Sequence, residues 1–311
     1  MKKILCVLMS CLLFVMAGCS GHSKNLKFGA ADIGGVYYSF ASTFTQLADN
    51  EIDGYTFETK TTAGSVANLR LISDGYIDLA IVQADLLSDA YNATGTFADK
   101  KYQKGYKAIA SLYTECCQIV VRKDSGITGI DDLINKTVSV GASESGTEKN
   151  AEQILKMSGI TDELINKVNM DYTEAAEKLK AGEIDAFFCT AGTRTEVIGQ
   201  LSKECDIRLI SLDDKCIDKM LSAYSLCEKY TIPAGTYNGQ DSDVTTIGVK
   251  AVLIAKQSLS DDVIKNVTKT IYEHADDFKY ATSLDISFDI NTAADGVDIP
   301  FHSGAAAYYT E

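Results

Sequence analysis

Beyond the N-terminal stretch, apolar positions recur with period two over short runs and with a period near 3.6 over longer ones, in alternation. Leu26 to Ala30 reads as a strand, and Tyr38 to Ala48 as a helix with Phe40, Phe44, Leu47 and Ala48 on one face. Tyr55 to Thr59 is the next strand. A helix over Val66 to Asp74 buries Leu69 and Ile72 and stops at Gly75, the residue type that ends helices in a left-handed turn. Ile77 to Val82 is then an apolar run, read as a buried strand. The same order returns with a strand over Thr137 to Val140 and a helix over Gly146 to Met157 that turns Ala151, Ile154 and Leu155 inward. A strand at Lys167 to Asp171, a helix from Thr173 to Ala181 ended by Gly182, and a strand at Ile184 to Cys189 complete it. This alternation predicts an α/β fold with mostly parallel strands.

The two units echo each other in residues as well as in order. Gly29-Ala30-x-x-x-Gly34 matches Gly141-Ala142-x-x-x-Gly146, and Gly75-Tyr76-Ile77-Asp78 matches Gly182-Glu183-Ile184-Asp185. One duplication with small indels explains both. Ile119 to Arg122 and Thr246 to Ile254 flank the second unit and read as crossover strands between two lobes. The expected division is a first lobe of residues 26–117 plus 249–311, closed by a helix from Asp261 to Tyr280, and a second lobe of residues 118–248.

The N-terminus changes the compartment. Met1-Lys2-Lys3 precedes an apolar run from Ile4 to Val15, and Met16-Ala17-Gly18-Cys19 closes it, the pattern of a signal peptide over residues 1–18. Ala17-Gly18-Cys19 resembles a bacterial lipobox, which makes Cys19 the lipidation site and residues 19–25 a tether; an ordinary secretory signal is the plainer alternative. The protein is then expected outside the cytoplasm, anchored to a bacterial membrane by lipid. A formal net charge of −14 makes nucleic acid a poor partner, and requires any anionic ligand to be held by local groups against the overall field. Cys116, Cys117, Cys189, Cys205, Cys216 and Cys227 form no CxxC pair and lie near no histidine at zinc-ligand spacing, so neither metal nor cofactor is expected. Small buried hydrophobes or disulfides both suit them, and the even spacing of the last three suggests one shared helical face.

Ligands of such sheets sit beyond the strand ends, where loops enter helix N-termini. Four loops there are rich in glycine and small hydroxyls: Asp32-Ile33-Gly34-Gly35, Thr61-Thr62-Ala63-Gly64-Ser65, Ser143-Glu144-Ser145-Gly146-Thr147 and Thr190-Ala191-Gly192-Thr193. Free amides at helix starts bind anions without a formal charge, which reconciles an acidic chain with an anionic solute. Each loop alone is equally a cap; Ser145-x-x-Glu148 is a capping box. Four together at equivalent strand ends point to a cleft. Gln83 and Thr190 end matching strands and should face each other, while Tyr37, Tyr38 and Tyr113 are candidate aromatic walls. Arg70 is read as an exposed or interlobe salt bridge, and Arg194 could reach a second carboxylate of the ligand.

The motif set resembles the TAXI family of solute receptors, which serve TRAP-type transporters, over about Phe28 to the C-terminus. It is carried by Gly34-Gly35-Val36-Tyr37-Tyr38, by Thr61 to Leu69 including Ser65 and Asn68, and by Asp78 to Gln83. Ala110 to Tyr113, Val138 to Gly141 with Ser145-Gly146-Thr147-Glu148, Ile184 to Phe188, Ile232 to Tyr237 and Ile299 to Gly304 complete it. The resemblance implies a bilobed, periplasmic-binding-protein-like (type II) α/β fold and delivery of solute to TRAP membrane permease subunits by a monomer. It also implies a small carboxylate ligand such as glutamate, glutamine or 2-oxoglutarate. Ala31-Asp32-Ile33 stands where the family has Gly-Thr-Gly, and Thr193-Arg194 where it often has proline. A binding subunit that reports to a membrane sensor is the second reading. An enzyme is the third, disfavoured because His22, His274 and His302 are scattered in sequence.

Overall fold

A computed structural model describes residues 24–99, 105–284 and 288–311. The signal segment, Cys19 and the first part of the tether lie outside the described residues. The first half-unit runs β1 (Lys24–Gly29), α1 (Val36–Glu51), β2 (Tyr55–Lys60), α2 (Ser65–Ser73), β3 (Leu79–Gln83) and α3 (Ala84–Asn92). β1 pairs in parallel with both β2 and β3. All five residues of β3 are buried, as a strand between two others and under helices must be. The chain then enters one long strand, β4 (Tyr106–Arg122).

The second unit follows as β5 (Thr137–Ser139), α4 (Gly146–Met157), β6 (Asn166–Val168), α5 (Tyr172–Ala181) and β7 (Ala186–Ala191). Next come α6 (Glu196–Glu204), β8 (Ile207–Leu209), α7 (Asp214–Ala223) and β9 (Cys227–Ile232), which the sequence pattern left unassigned. β10 (Val244–Lys256) returns antiparallel to β4, and α8 (Asp261–Glu273), α9 (Ala275–Thr282) and α10 (Ser303–Tyr309) close the chain. The strand order is β2-β1-β3-β10-β4-β7-β5-β6, with β8 on β4 and β9 on β10. β4 and β10 therefore run through the middle and belong to both halves of a bilobed α/β molecule.

The internal echo has a structural cause. Asp78 takes the Lys27 amide on its carboxylate (2.9 Å) and gives its own amide to the Lys27 carbonyl (2.8 Å). Asp185 does the same to Thr137, at 2.8 Å each way. In each unit this aspartate clips the strand after the second helix to its neighbour, and the preceding glycine supplies the left-handed φ, +83° at Gly75 and +74° at Gly182. Two buried clusters are built from residues of 26–112 and 249–305. Two more come from 116–247, joined by Val36 and Leu284.

Four expectations change. The strands are not mostly parallel: β4 and β10 run antiparallel to every strand they pair with, so five of the nine pairings among the described residues are antiparallel, and the parallel pairings are confined to β1–β3 and β5–β7. The strand expected at Ile119 begins at Tyr106, because Thr114, Glu115 and Gln118 interrupt the apolar run in its middle, Glu115 facing the cleft and the other two bonding neighbouring elements. The helix expected from Asp261 to Tyr280 breaks at His274, whose φ of −111° and ψ of 30° leave helical geometry while its ring meets Glu51 and Asp277. Cys205, Cys216 and Cys227 share no face: they follow α6, lie in α7 and begin β9. All six described cysteines are free, and all but Cys205 are buried.

Candidate functional site

The loops at the strand ends of both halves meet around one cavity. It holds about 430 Å³ of atom-free space, partly open to solvent. The Gln83–Asn150 hydrogen bond draws the halves together over it. Gly35, Tyr37, Ser65 and Gln83 line it from the first half, and Ser145, Gly146, Thr147 and Thr190 from the second. Eight predicted positions from separate loops converge there.

Each wall is fixed by its own hydrogen bonds. The Ser65 hydroxyl accepts the Gln83 amide (3.1 Å), tying the start of α2 to the end of β3. The Ser145 hydroxyl accepts the Glu148 amide (2.9 Å), and the Glu148 carboxylate reaches back to the Glu144 amide (3.0 Å). That uses the third amide of α4, while Ala67 of α2 gives its amide to the Glu144 carbonyl (3.0 Å). The amides of Ser65, Gly146 and Thr147, residues that line the cavity, stand in the first turns of α2 and α4 and have no acceptor within their helices.

Thr147 is more occupied than its sequence position suggests. Its hydroxyl accepts the Thr190 amide (3.1 Å) and lies 2.6 Å from the Tyr172 hydroxyl, which itself donates to the Thr190 carbonyl (2.9 Å). With the Tyr172 proton committed there, Thr147 must donate to Tyr172. The side chains of Gln83 and Thr190 behave differently. Gln83 Nε2 donates to Asn150 Oδ1 across the cleft (3.0 Å), but Gln83 Oε1 and Thr190 Oγ1 are buried with no partner among the described residues. The Gln83 carboxamide also lies where a Cβ on Gly146 would stand, so that position excludes a side chain.

Other predicted positions are placed elsewhere. Asn68 is fully buried and does not line the cavity. Its amide bonds the carbonyls of Gly29, Ala30 and Ile81 and accepts from Thr62, locking α2 to the ends of β1 and β3. Tyr38 packs on the first core, Ser143 is exposed, and Gly34 opens onto an outer groove. Gly192 is packed against Leu284. Arg194 is exposed on the outer surface in a left-handed conformation, φ +65°, and does not line the cavity, so the structure gives it no route to a bound carboxylate. Tyr113 stays out of the lining, with its hydroxyl buried and unpartnered. Arg70 does make the interlobe pair, bidentate to Glu144 at 2.6 and 3.0 Å.

Sequence reasoning missed Glu115 and Tyr172 and gave Asp32 only as part of a cleft loop. Glu115, in the middle of β4, lines the cavity at 2 % exposure and accepts a hydrogen bond from the Tyr37 hydroxyl (2.9 Å). Burial without a cation pushes its carboxyl up to about 8, against the opposing hydrogen bonds. Asp32 faces the N-terminus of α5; burial and then the Asp171 carboxylate raise it to about 6. Among the described residues, no Lys, Arg or His lines the cavity. The signal for Glu115 was available: it is the single acid in an otherwise apolar and small-residue stretch from Ala108 to Val121.

The fold is shared with solved structures. PhnD1 from Prochlorococcus marinus, in complex with methylphosphonate, matches with a TM-score of 0.56 at 13% identity, over 80% of this chain and 84% of that one. A binding protein component of an ABC phosphonate transporter from Pseudomonas aeruginosa gives 0.52 at 12% identity, over 83% and 78%. A Xanthomonas citri protein bound to ATP gives 0.52 at 11% identity, over 83% and 87%. Identities this low speak to the fold alone. In sequence, residues 28–311 match the NMT1-like family, and the chain belongs to that family.

Proposed function

We propose that this chain is an extracytoplasmic solute-binding lipoprotein that closes two lobes on a small carboxylate and delivers it to a membrane permease. One observation carries the reading. Helix starts from both halves line a single cavity, and neither half builds that cavity alone. Lobes of residues 26–117 plus 249–311 and of 118–248 are supported by the way the four cores divide the chain. A receptor rather than an enzyme is favoured by the histidines: His274 bonds Glu51, and His302 caps α10.

The permease is read as TRAP-type on the motif set that resembles the TAXI receptors. A second reading, an ABC transporter, is favoured by the Pseudomonas aeruginosa neighbour. Both readings put the solute in the same cavity. Mass spectrometry of full-length protein purified in detergent tests the proposal with two readouts. The intact mass should carry an acylated Cys19 as the first residue, and denaturation should release a small carboxylate. An unacylated Cys19 removes the anchor, and release of a solute without an acidic group removes the ligand class. Uptake of that solute that stops with the ion gradient supports TRAP, and uptake that stops with ATP supports ABC.

A further inference from the structure

Three carboxyl groups of the first half are buried where it meets the second, and none has a cation among the groups that face it. Asp32, in the loop before α1, faces Asp171 and Tyr172 at the start of α5. Asp171 is itself fixed there, capping the helix through the Glu174 amide (2.8 Å). The halves touch at this point, since a Cβ on Gly35 would stand 3.7 Å from the Tyr172 ring. Asp85, in the first turn of α3, is 9 % exposed, and both of its carboxyl oxygens are buried with no hydrogen-bond partner among the described residues. It faces Asp89 of its own helix and Glu115 of β4, and from the opposite half Gln153 of α4, Tyr224 after α7 and Cys227 of β9. Lys250 of the adjoining β10 is held instead by Thr114 (2.9 Å) and Glu228 (4.0 Å). Glu115 faces Tyr37 of α1, Gln83 of β3, Asp85 of α3, Tyr113 and Cys116 of β4, and from the opposite half Tyr172 of α5 and Cys189 of β7.

A buried carboxylate without a cation is costly, and it escapes that cost either by taking a proton or by returning to water. Here a return to water requires the two halves to part. We propose that these acids couple the cleft to protons: the halves close as Asp32, Asp85 and Glu115 take up protons, and part as the three ionise. This rests on the hinged, two-lobed reading of the proposed function and adds a control to it. The sign follows from the closed form, in which burial raises Glu115 to about 8 and Asp32 and Asp85 to about 6. An acid raised in the closed form holds its proton more tightly there than in the open one, so closure is favoured as pH falls. The response begins below about 8 with Glu115 and gains Asp32 and Asp85 below about 6. It ends in the ordinary carboxylate range near about 4, where the open form is protonated too.

The test needs no solute, only protons as the probe. Small-angle scattering of the solute-free mature protein at fixed ionic strength should give a radius of gyration that falls from about pH 8 to about pH 5. Asp32→Asn and Asp85→Asn, isosteric changes that remove a charge, should each move the midpoint of that fall to higher pH by about one unit. Combined with Glu115→Gln, they should leave the protein compact at both ends of the range and abolish the response. If the triple variant does not fold, the two single changes decide. A radius that does not fall toward acid, or a fall that neither single change moves, overturns the inference. If the protein then still compacts when the solute released on denaturation is added back, the proposed function stands. If neither acid nor that solute compacts it, both fail.

Discussion

At the scale of single residues, the useful distinction is between polar groups whose hydrogen bonds are complete and those left open. Asn68 and Ser65 sit in one glycine-hydroxyl motif, and sequence alone gives both as contacts. In the fold Asn68 satisfies three carbonyls at once, so it is a structural amide. Asn68→Ala should lower stability by roughly 2–4 kcal/mol, since it strands buried backbone groups. Urea denaturation of the mature protein checks it; a loss under about 1 kcal/mol would mean that water replaces the amide easily. Glu115 shows the reverse case. Its neighbours in sequence are apolar or small, and only the crossing of two long strands turns it into the floor of a cavity. Loop chemistry was legible because glycine and hydroxyl at a helix start serve caps and ligands alike. The acid was not, because a strand residue acquires its partners from elements far away in sequence.

At the scale of elements, closure has its own contacts, separate from those facing the cavity. The Glu144 loop of the second half meets the first turn and a half of α2 in the first. It gives a carbonyl to the Ala67 amide and a bidentate carboxylate to Arg70. Glu144 does so at φ +65°, a conformation that costs a side-chain-bearing residue roughly 1–2 kcal/mol, so the contact holds a strained loop in place. Sequence marked Arg70 as a salt bridge across the lobes but could not supply its partner, which depends on how the two units dock. About a third of the Arg70 side chain is exposed, which keeps the pair in the range of roughly 0.5–1 kcal/mol. Arg70→Ala and Glu144→Ala should each weaken solute binding several-fold, and the double change should do no worse than the more damaging single one. Additive losses in that cycle would show that the pair is not coupled in the closed state.

At the scale of the molecule, two strands tie the halves together, and under the proposed function the solute is expected to decide how they meet. The duplicated order of strand and helix was legible because each unit repeats the same aspartate clip, at Asp78 and Asp185. Of the two central strands, β10 was legible as the run from Thr246 to Ile254, but the full length of β4 was not, since it carries Thr114, Glu115 and Gln118 midway and reads as two pieces. α6 to β9 escaped because their apolar runs are short and broken by charge. Without solute, the closed arrangement sets Asp32 against Asp171 from the opposite half and buries the Glu115 carboxyl with no cation beside it. Those terms favour opening. The Arg70–Glu144 pair and the Gln83–Asn150 bond favour closure by a modest amount. A solute that bridges amides from both halves adds only to the closed side, so it shifts the population by its differential affinity. Small-angle scattering of the mature protein should therefore give a smaller radius of gyration once the solute released on denaturation is added back. A profile unchanged at saturation would mean that the halves stay together without it, and that β4 and β10 act as a rigid spine rather than a hinge.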